Sequence, residues 1–175
     1  MAAFLIIDGD VLDWDLDALE EILEVIDGQI DRLFALWAQE NATGRIDPAD
    51  MWTRMEYVAG IGFVACQNYL TQVYPPMDKG EALRRGPLHR SGRSVASIVN
   101  AAANQWKHEG EWLGDAASDP RRRSTEAVLG AVTGDGSPNL FELLTQVVEP
   151  QPPRFRSLVP LLAQWRDGFV EGRTR

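Results

Sequence analysis

The side chains best suited to chemistry lie between residues 93 and 112. Placed on an α-helix, one side of this segment carries the groups Arg93, Ser97, Asn100, Asn104, Lys107, His108 and Glu111. The opposite side carries Val95, Ile98, Val99, Ala102 and Trp106. Solvated helix faces are usually rich in Glu, Lys and Gln, whereas Asn and Ser are weaker helix formers that make directed hydrogen bonds. We take this polar stripe, with Trp112 after it, as the candidate ligand-binding or interface site.

Two interpretations of the polar stripe stay open. In the first, it ties its helix to neighbouring loops, and Trp106 and Trp112 are core or edge aromatics. In the second, it lines a groove or a subunit interface, where the asparagines and the Lys107–His108 pair bind a polar ligand, a peptide or a nucleotide. A neutral His108 beside Glu111 could act as a general base, but the sequence supplies no nucleophile for it.

Metal and cofactor motifs are incomplete in this chain. Residues 13–17 with Glu24 imitate the acid spacing of a calcium loop, but Ala18 stands where that loop needs Gly for its turn. The two histidines, His89 and His108, cannot supply the three nitrogen ligands of a zinc site. Phosphate-binding loops, dinucleotide fingerprints and serine-hydrolase elbows do not occur in the sequence. We therefore predict no catalytic residue, no metal and no cofactor.

The net charge of −9 is unevenly distributed along the chain. Residues 1–60 hold 14 acidic and 3 basic side chains, and residues 61–175 hold 12 acidic and 14 basic ones. The overall sign argues against a dedicated duplex nucleic-acid binder. A basic patch leaves a local nucleic-acid surface open: Arg84, Arg85, Arg90, Arg93, Arg121, Arg122 and Arg123. The simpler expectation is that the acidic first third neutralises this patch, within the chain or across a dimer.

The compartment is predicted from cysteine usage and from hydropathy. Cys66 is the single cysteine, which excludes an intramolecular disulfide and fits a reducing compartment. It lies in an apolar helical run, where a buried thiol is the usual outcome. The apolar stretch near the N-terminus is short and follows no basic residue, and no run approaches the length of a membrane span. We expect a cytoplasmic protein without a membrane segment, acting with itself or with a protein partner.

Apolar spacing of three and four residues predicts an all-α fold, a bundle of five or six helices in a single domain over residues 1–175. Residues 1–16 form an extended or hairpin segment, and the Pro-rich residues 149–156 form a linker to a C-terminal helix. The predicted helices cover approximately residues 17–40, 48–74, 91–108, 120–132, 138–148 and 157–170, with a helical turn at 80–85. A capping box is predicted at Asp17 and Glu20. The second helix is apolar on several sides and is the expected centre, where Gly60 and Gly62 allow a close crossing.

Two family resemblances follow from these motifs. Residues 104–112 read Asn-x-x-Lys-His-x-x-Glu-Trp, which resembles a segment of an uncharacterised family of bacterial all-helical proteins. The resemblance covers roughly residues 95–133, where Thr125, Leu129 and Gly130 match a further helix, and it implies no activity.

More loosely, the chain is similar to the all-helical HEPN group, many of which are RNases of bacterial defence and toxin–antitoxin systems. Their helical motif is Arg, four to six residues, then His, and Arg84 and His89 have this spacing. The intervening Gly86-Pro87 predicts a helix break, and four residues before His108 stands Asn104 in place of Arg. Our first hypothesis is a non-enzymatic binding or interaction protein, and the alternative is a HEPN-like RNase or toxin.

Overall fold

The computed structural model describes residues 5–7, 10–41, 47–73, 77–112, 119–134, 138–149 and 152–170. Within these ranges the chain is an all-α bundle with a short antiparallel hairpin at its start, which confirms the predicted fold class. The described elements are β1 (Leu5–Ile7), β2 (Asp10–Leu12), α1 (Trp14–Asn41), α2 (Pro48–Val73), α3 (Lys79–Arg84), α4 (Val95–Trp112), α5 (Pro120–Thr133), α6 (Leu140–Val147), a 3-10 helix (Phe155–Leu158) and α7 (Val159–Val170). Leu5 pairs with Leu12 across the hairpin.

Helix α1 begins three residues earlier than predicted. We expected the extended segment to reach residue 16 and a capping box at Asp17 and Glu20, but α1 starts at Trp14. Asp13 is the capping residue, because its Oδ1 accepts a hydrogen bond from the backbone N–H of Leu16 at 3.0 Å. The same carboxylate is buried against distant residues, which a local motif does not reveal.

Helix α2 is the centre of the bundle, as predicted, and packs against α1, α4 and α6. It starts at Pro48, behind Asp47, whose Oδ1 accepts from Ala49 N at 2.9 Å. The close approach predicted at Gly60 and Gly62 is confirmed. The Trp106 ring of α4 occupies the place that a Cβ at position 60 would take, and the Phe155 ring lies 2.5 Å from a Cβ built at position 62.

The later helices follow their capping residues. Asp119 caps α5 through Arg121 N at 2.8 Å, and α5 ends at Gly134, whose φ of +80° is the left-handed value that glycine adopts without strain. Helix α6 begins at Leu140 rather than at Ser137-Pro138, because the Asn139 side chain accepts from two backbone N–H groups of the first turn.

The last two residues of the predicted Pro-rich linker, 149–156, already belong to a 3-10 helix that runs directly into α7. Asp27 of α1 is buried and caps this helix: its carboxylate accepts from Phe155 N at 2.7 Å and from Arg156 N at 3.1 Å. Phe155 and Leu158 are buried in the same apolar cluster that extends from Leu19 to Phe169.

The Cys66 side chain lies in this apolar cluster and is fully buried, as predicted. Burial raises the pKa of its thiol above the ordinary range, so it stays protonated at neutral pH. None of the described helices combines the length and the apolar character that crossing a membrane requires.

Candidate functional site

A cleft of about 740 Å³ lies between α3, the first half of α4 and α5, and we call it the α4 cleft. Its lining combines apolar surface with four cationic and several neutral polar side chains, and it contains no Asp or Glu among the described residues. The lining side chains from α3 and the loop before α4 include Lys79, Leu83, Arg84, Arg93 and Ser94; those from α4 include Ser97, Asn100 and Asn104; those from α5 include Arg121, Ser124, Thr125 and Val128. The volume falls within the range usual for small-molecule pockets.

The polar stripe divides between this cleft and the surface beyond it. Arg93, Ser97, Asn100 and Asn104 line the cleft at successive turns, whereas the other predicted site residues do not. Trp112 is 6% exposed and belongs to the interior.

The orientation of the two asparagines is set by a hydrogen-bonded chain that begins at Lys107. The Lys107 ammonium donates to Gln67 Oε1 at 2.6 Å, and because an ammonium cannot accept, the Gln67 oxygen must face it. Gln67 Nε2 then donates to Asn100 Oδ1 at 3.0 Å and to Asn104 Oδ1 at 2.9 Å. Both Asn oxygens thereby accept a hydrogen bond from within the bundle, and within the described part of the chain neither Nδ2 has a partner. Asn100 and Asn104 therefore line the α4 cleft with Nδ2 groups that can donate to a ligand.

Lys107 has a lowered pKa because it is partly withdrawn from water and because the positive charge of Lys79 acts on it. Helix α3 packs on α4, and the Ser94 hydroxyl donates to Leu83 O just before α4 begins. The Arg84 side chain folds back along α3, because its Nη1 lies 3.3 Å from a Cβ built at Gly80.

Only one of the four cations that line the cleft forms an ion pair with a described carboxylate. Arg121 forms an ion pair with Asp119, with Nη2–Oδ2 at 2.9 Å. Lys79, Arg84 and Arg93 form no ion pair with any carboxylate that the structure describes. The cleft therefore presents three cations without an ion pair beside the asparagine donors. Asp78 Oδ1 is the carboxylate oxygen that, with Arg84 Nη1, approaches a Cβ built at Gly80, at 3.1 and 3.3 Å.

The predicted basic patch is not one surface. Arg84, Arg93 and Arg121 line the α4 cleft, and the other members lie outside its lining. Their contacts are Arg85 with Glu81 at 2.6 Å, Arg90 with Gln146, and Arg122 with Glu126 at 2.6 Å, while Arg123 is exposed. Among the described residues, no carboxylate of residues 1–60 forms an ion pair with this patch, and neutralisation across a dimer stays a prediction. The first-third carboxylates that form ion pairs do so with Arg154, Arg156 and Arg166.

His108 and Glu111 form a separate polar pair near the end of α4. His108 Nδ1 lies 3.0 Å from Glu111 Oε2, and the imidazole packs on the Trp112 ring at a centroid distance of 5.7 Å. The backbone oxygen of Trp112 accepts from Arg122 Nη1 at 2.8 Å. The pair is solvent-accessible and does not line the α4 cleft.

The Arg84–His89 spacing does not lie on one helix. Arg84 ends α3, and Gly86 follows with a φ of +85°, which confirms the predicted break. His89 lies in the loop before α4, where its Nε2 contacts Gln146 O and its Nδ1 contacts Ser91 Oγ, each at 3.0 Å. This loop is also held from α7, because Trp165 Nε1 donates to Ala82 O at 2.9 Å and the Trp165 ring packs on Gly86.

Two residues of the site, Gln67 and Lys79, were not predicted from the sequence. Gln67 is 6% exposed in the middle of α2, between Cys66 and Tyr69 of the core, and an amide within a buried run is a signal that could have pointed to an internal partner. Lys79 had no such signal, since only tertiary packing brings α3 against α4.

Three or more His, Cys, Asp or Glu side chains grouped to hold a metal ion are not found within the described ranges. Comparison of the chain with protein-family models, curated proteins and solved structures gives no match. The two family resemblances therefore stay predictions.

Proposed function

We propose that this chain is a non-enzymatic binding protein and that its ligand occupies the α4 cleft. The observation that carries the proposal is the Lys107–Gln67 chain, which turns the oxygens of Asn100 and Asn104 inward and leaves their N–H donors to a cleft. Amides that are fully buried usually use both their donors and their acceptors. Asn100 and Asn104 are half-buried in the cleft lining, where a group within reach of solvent is also within reach of a ligand. Here the acceptors serve the fold, and the donors are available to a polar ligand.

The test is a ligand screen by thermal unfolding of the full chain against polar metabolites, followed by calorimetric titration of any compound that stabilises it. Asn104→Asp is the informative variant, because its carboxylate can still accept from Gln67 Nε2 but offers no donor to the cleft. We expect it to weaken binding about tenfold or more. Asn68→Asp is the matched control, since Asn68 is exposed on α2 and does not line the cleft.

Unchanged binding in Asn104→Asp would contradict the proposal, as would a screen in which no polar compound raises the unfolding temperature. Equal weakening by Asn68→Asp would indicate a general charge effect and would also count against the cleft.

A HEPN-like RNase is the alternative, and the His108–Glu111 pair is the observation that favours it. A carboxylate at 3.0 Å from an accessible imidazole is the arrangement of a general base. The alternative predicts that the purified chain cleaves bulk RNA and that His108→Ala abolishes the cleavage. Intact RNA after incubation with the wild-type chain removes this alternative.

Self-association and a cytoplasmic location are also part of the proposal. Several large apolar side chains of α1 are exposed, among them Trp14 at 61% and Val25 at 74%, and exposed apolar faces commonly mark interfaces. Light scattering of the wild-type chain and of Val25→Lys distinguishes a dimer that uses α1 from a monomer.

A further inference from the structure

We infer that the ligand of the α4 cleft is a small molecule that carries two or more phosphate groups. The inference rests on the proposed function, because it assigns a chemical class to the same cleft. Three features support it: the charge of the cleft, the hydrogen-bond donors of its lining and the convergence of its cations on one cavity.

The charge of the cleft requires a polyanion. Lys79, Arg84 and Arg93 contribute three positive charges without a carboxylate partner among the residues described, and Asp119 compensates Arg121. A monocarboxylate would leave two of the three cations uncompensated. One phosphate monoester carries a charge of about −1.5 to −2 at neutral pH, so two phosphate groups match the three remaining cations.

The hydrogen-bonding groups favour a ligand that is rich in acceptors. Guanidinium and ammonium groups donate and cannot accept, and Asn100 and Asn104 add their Nδ2 donors, because their oxygens already accept from Gln67 Nε2. Phosphate oxygens are acceptors and bind arginine forks in two parallel hydrogen bonds. A neutral sugar would instead bring hydroxyl donors to a lining without a carboxylate.

The cations reach the cleft from two segments. Arg84 Nη1 lies 3.3 Å from a Cβ built at Gly80, beside Lys79, so both cations of α3 lie on the Gly80 side of the cleft. Asp78 Oδ1 lies 3.1 Å from the same position and also caps α3 by accepting from Glu81 N. Arg93 lines the same cleft from the loop before α4. Cations from two segments that share one cavity favour a ligand with more than one anionic group.

A nucleic-acid strand is the less favoured polyanion. The cleft volume of about 740 Å³ suits a small molecule, and the chain carries a net charge of −9 that repels an extended phosphate backbone. Outside the cleft, Arg85 and Arg122 of the basic patch are already paired with glutamates.

Calorimetric titration of the full chain with a series of inorganic phosphates tests the inference. Inorganic phosphate, pyrophosphate and tripolyphosphate increase in charge and length, and citrate is a polyanion without phosphate. We expect tripolyphosphate to bind saturably and about tenfold or more tighter than inorganic phosphate and citrate. Arg84→Gln, Arg93→Gln and Lys79→Gln should each weaken tripolyphosphate binding about tenfold, because each removes a charge-assisted contact. Arg123→Gln, an exposed arginine of α5 outside the lining, is the charge-matched control and should change the affinity less than about twofold.

The possible failures are distinguishable. If a neutral or singly charged compound binds in an Asn104→Asp-sensitive manner while tripolyphosphate does not bind, the inference falls and the proposed binding function stands. If citrate and a short single-stranded RNA bind as tightly as tripolyphosphate, or if Arg123→Gln weakens binding as much as Arg93→Gln, the cleft is not selective for a small phosphate and the inference falls. If no probe and no metabolite is sensitive to Asn104→Asp, both proposals fall.

Discussion

Two groups of cations in this protein have opposite surroundings. Arg154, Arg156 and Arg166, near and within α7, each contact carboxylates from α1 or its cap. Lys79 and Arg93 of the α4 cleft contact no carboxylate among the described residues. The first group joins segments separated by more than 120 residues, whereas the second leaves its charge toward a cavity.

We infer from this contrast that the first group of cations stabilises the fold and the second is available to a ligand. The ion pairs join α1 and its cap to the segment around α7. Their contribution to the free energy of unfolding depends on how deeply they are buried. Uncompensated cations that share a cleft repel each other and add nothing to folding, so a ligand that neutralises them stabilises the folded state. The free energies of unfolding of variants in the two groups therefore test whether only the paired arginines support the fold.

Arg166→Met should have the largest effect on the free energy of unfolding. Arg166 Nη1 contacts Asp13 Oδ2 at 2.7 Å, and the two side chains are 8% and 3% exposed. Removal of the guanidinium leaves a buried carboxylate with Tyr69 and a backbone N–H as partners, which should cost about 3–5 kcal/mol. Urea unfolding measures the change. The double variant Asp13→Asn/Arg166→Met should recover part of the loss, and a loss below about 1 kcal/mol would place this pair among the weak surface ion pairs.

Asp27→Ala should have the next largest effect. Its carboxylate accepts two backbone N–H groups at the start of the 3-10 helix, and Asp27 is 6% exposed. Loss of both acceptors leaves a buried N–H unsatisfied, so we expect a decrease of about 2 kcal/mol in the same unfolding experiment. Asp31→Ala is the control, because it removes an exposed carboxylate that pairs with Arg154 and should cost less than about 1 kcal/mol. Equal losses in the two variants would contradict the role of burial in the comparison.

Glu56 of α2 is a half-buried carboxylate without a cation in its described surroundings. It accepts from Leu140 N at 2.7 Å, but burial raises its pKa from 4.5 to about 7. The folded state therefore holds the proton more tightly, and this contribution to stability is complete below pH 4.5 and is lost as the pH rises through 7.

Glu56→Gln should remove that pH dependence. The shift corresponds to about 3 kcal/mol at full weight, which partial exposure reduces to about 1–2 kcal/mol. The variant should exceed the wild-type stability by that amount at pH 8 and equal it near pH 4.5, as measured by urea unfolding across the pH range. Parallel pH profiles for the two proteins would contradict the assignment.

Arg93→Gln and Arg84→Gln should have the smallest effects. Neither guanidinium has a carboxylate partner in the described structure, so each change should alter the free energy of unfolding by less than about 0.5 kcal/mol, toward greater stability at low salt. Urea unfolding without ligand is the measurement. A loss above about 1 kcal/mol in either variant would show that these cations support the fold, and the contrast between the two groups would disappear.

The sequence predicted the parts of this structure that depend on local signals. Helix α2 was placed at 48–74 and is Pro48–Val73, because an Asp-Pro start and apolar spacing are local. The end of α4 was placed at His108, but the helix continues to Trp112 through Gly110, around which there is open space. The start of α1 was missed because Asp13 finds its partners Tyr69 and Arg166 at separations of 56 and 153 residues.

Only the part of the candidate site that lies on one helix face could be predicted, because the rest depends on contacts between distant residues. The polar stripe supplied Arg93, Asn100 and Asn104, which share one helix face and line the cleft. The Gln67 contact that orients the asparagines spans 37 residues to Asn104, and helix periodicity holds no information on such a pair. Which half of the stripe faces a cavity depends on α3 and α5, whose positions follow from packing of the whole bundle.

The contact between Trp165 and the Ala82–Gly86 turn has a consequence for synthesis on the ribosome. The indole N–H of α7 holds a turn that was translated 83 residues earlier, and that turn leads into the loop bearing Arg93. A nascent chain that has exposed α3, α4 and α5 but not yet α7 has every lining residue of the cleft without the tryptophan that supports one of its walls. Because long-range contacts form only when both partners are available, the ability to bind should appear late in translation, after the bulk of the helices has already collapsed.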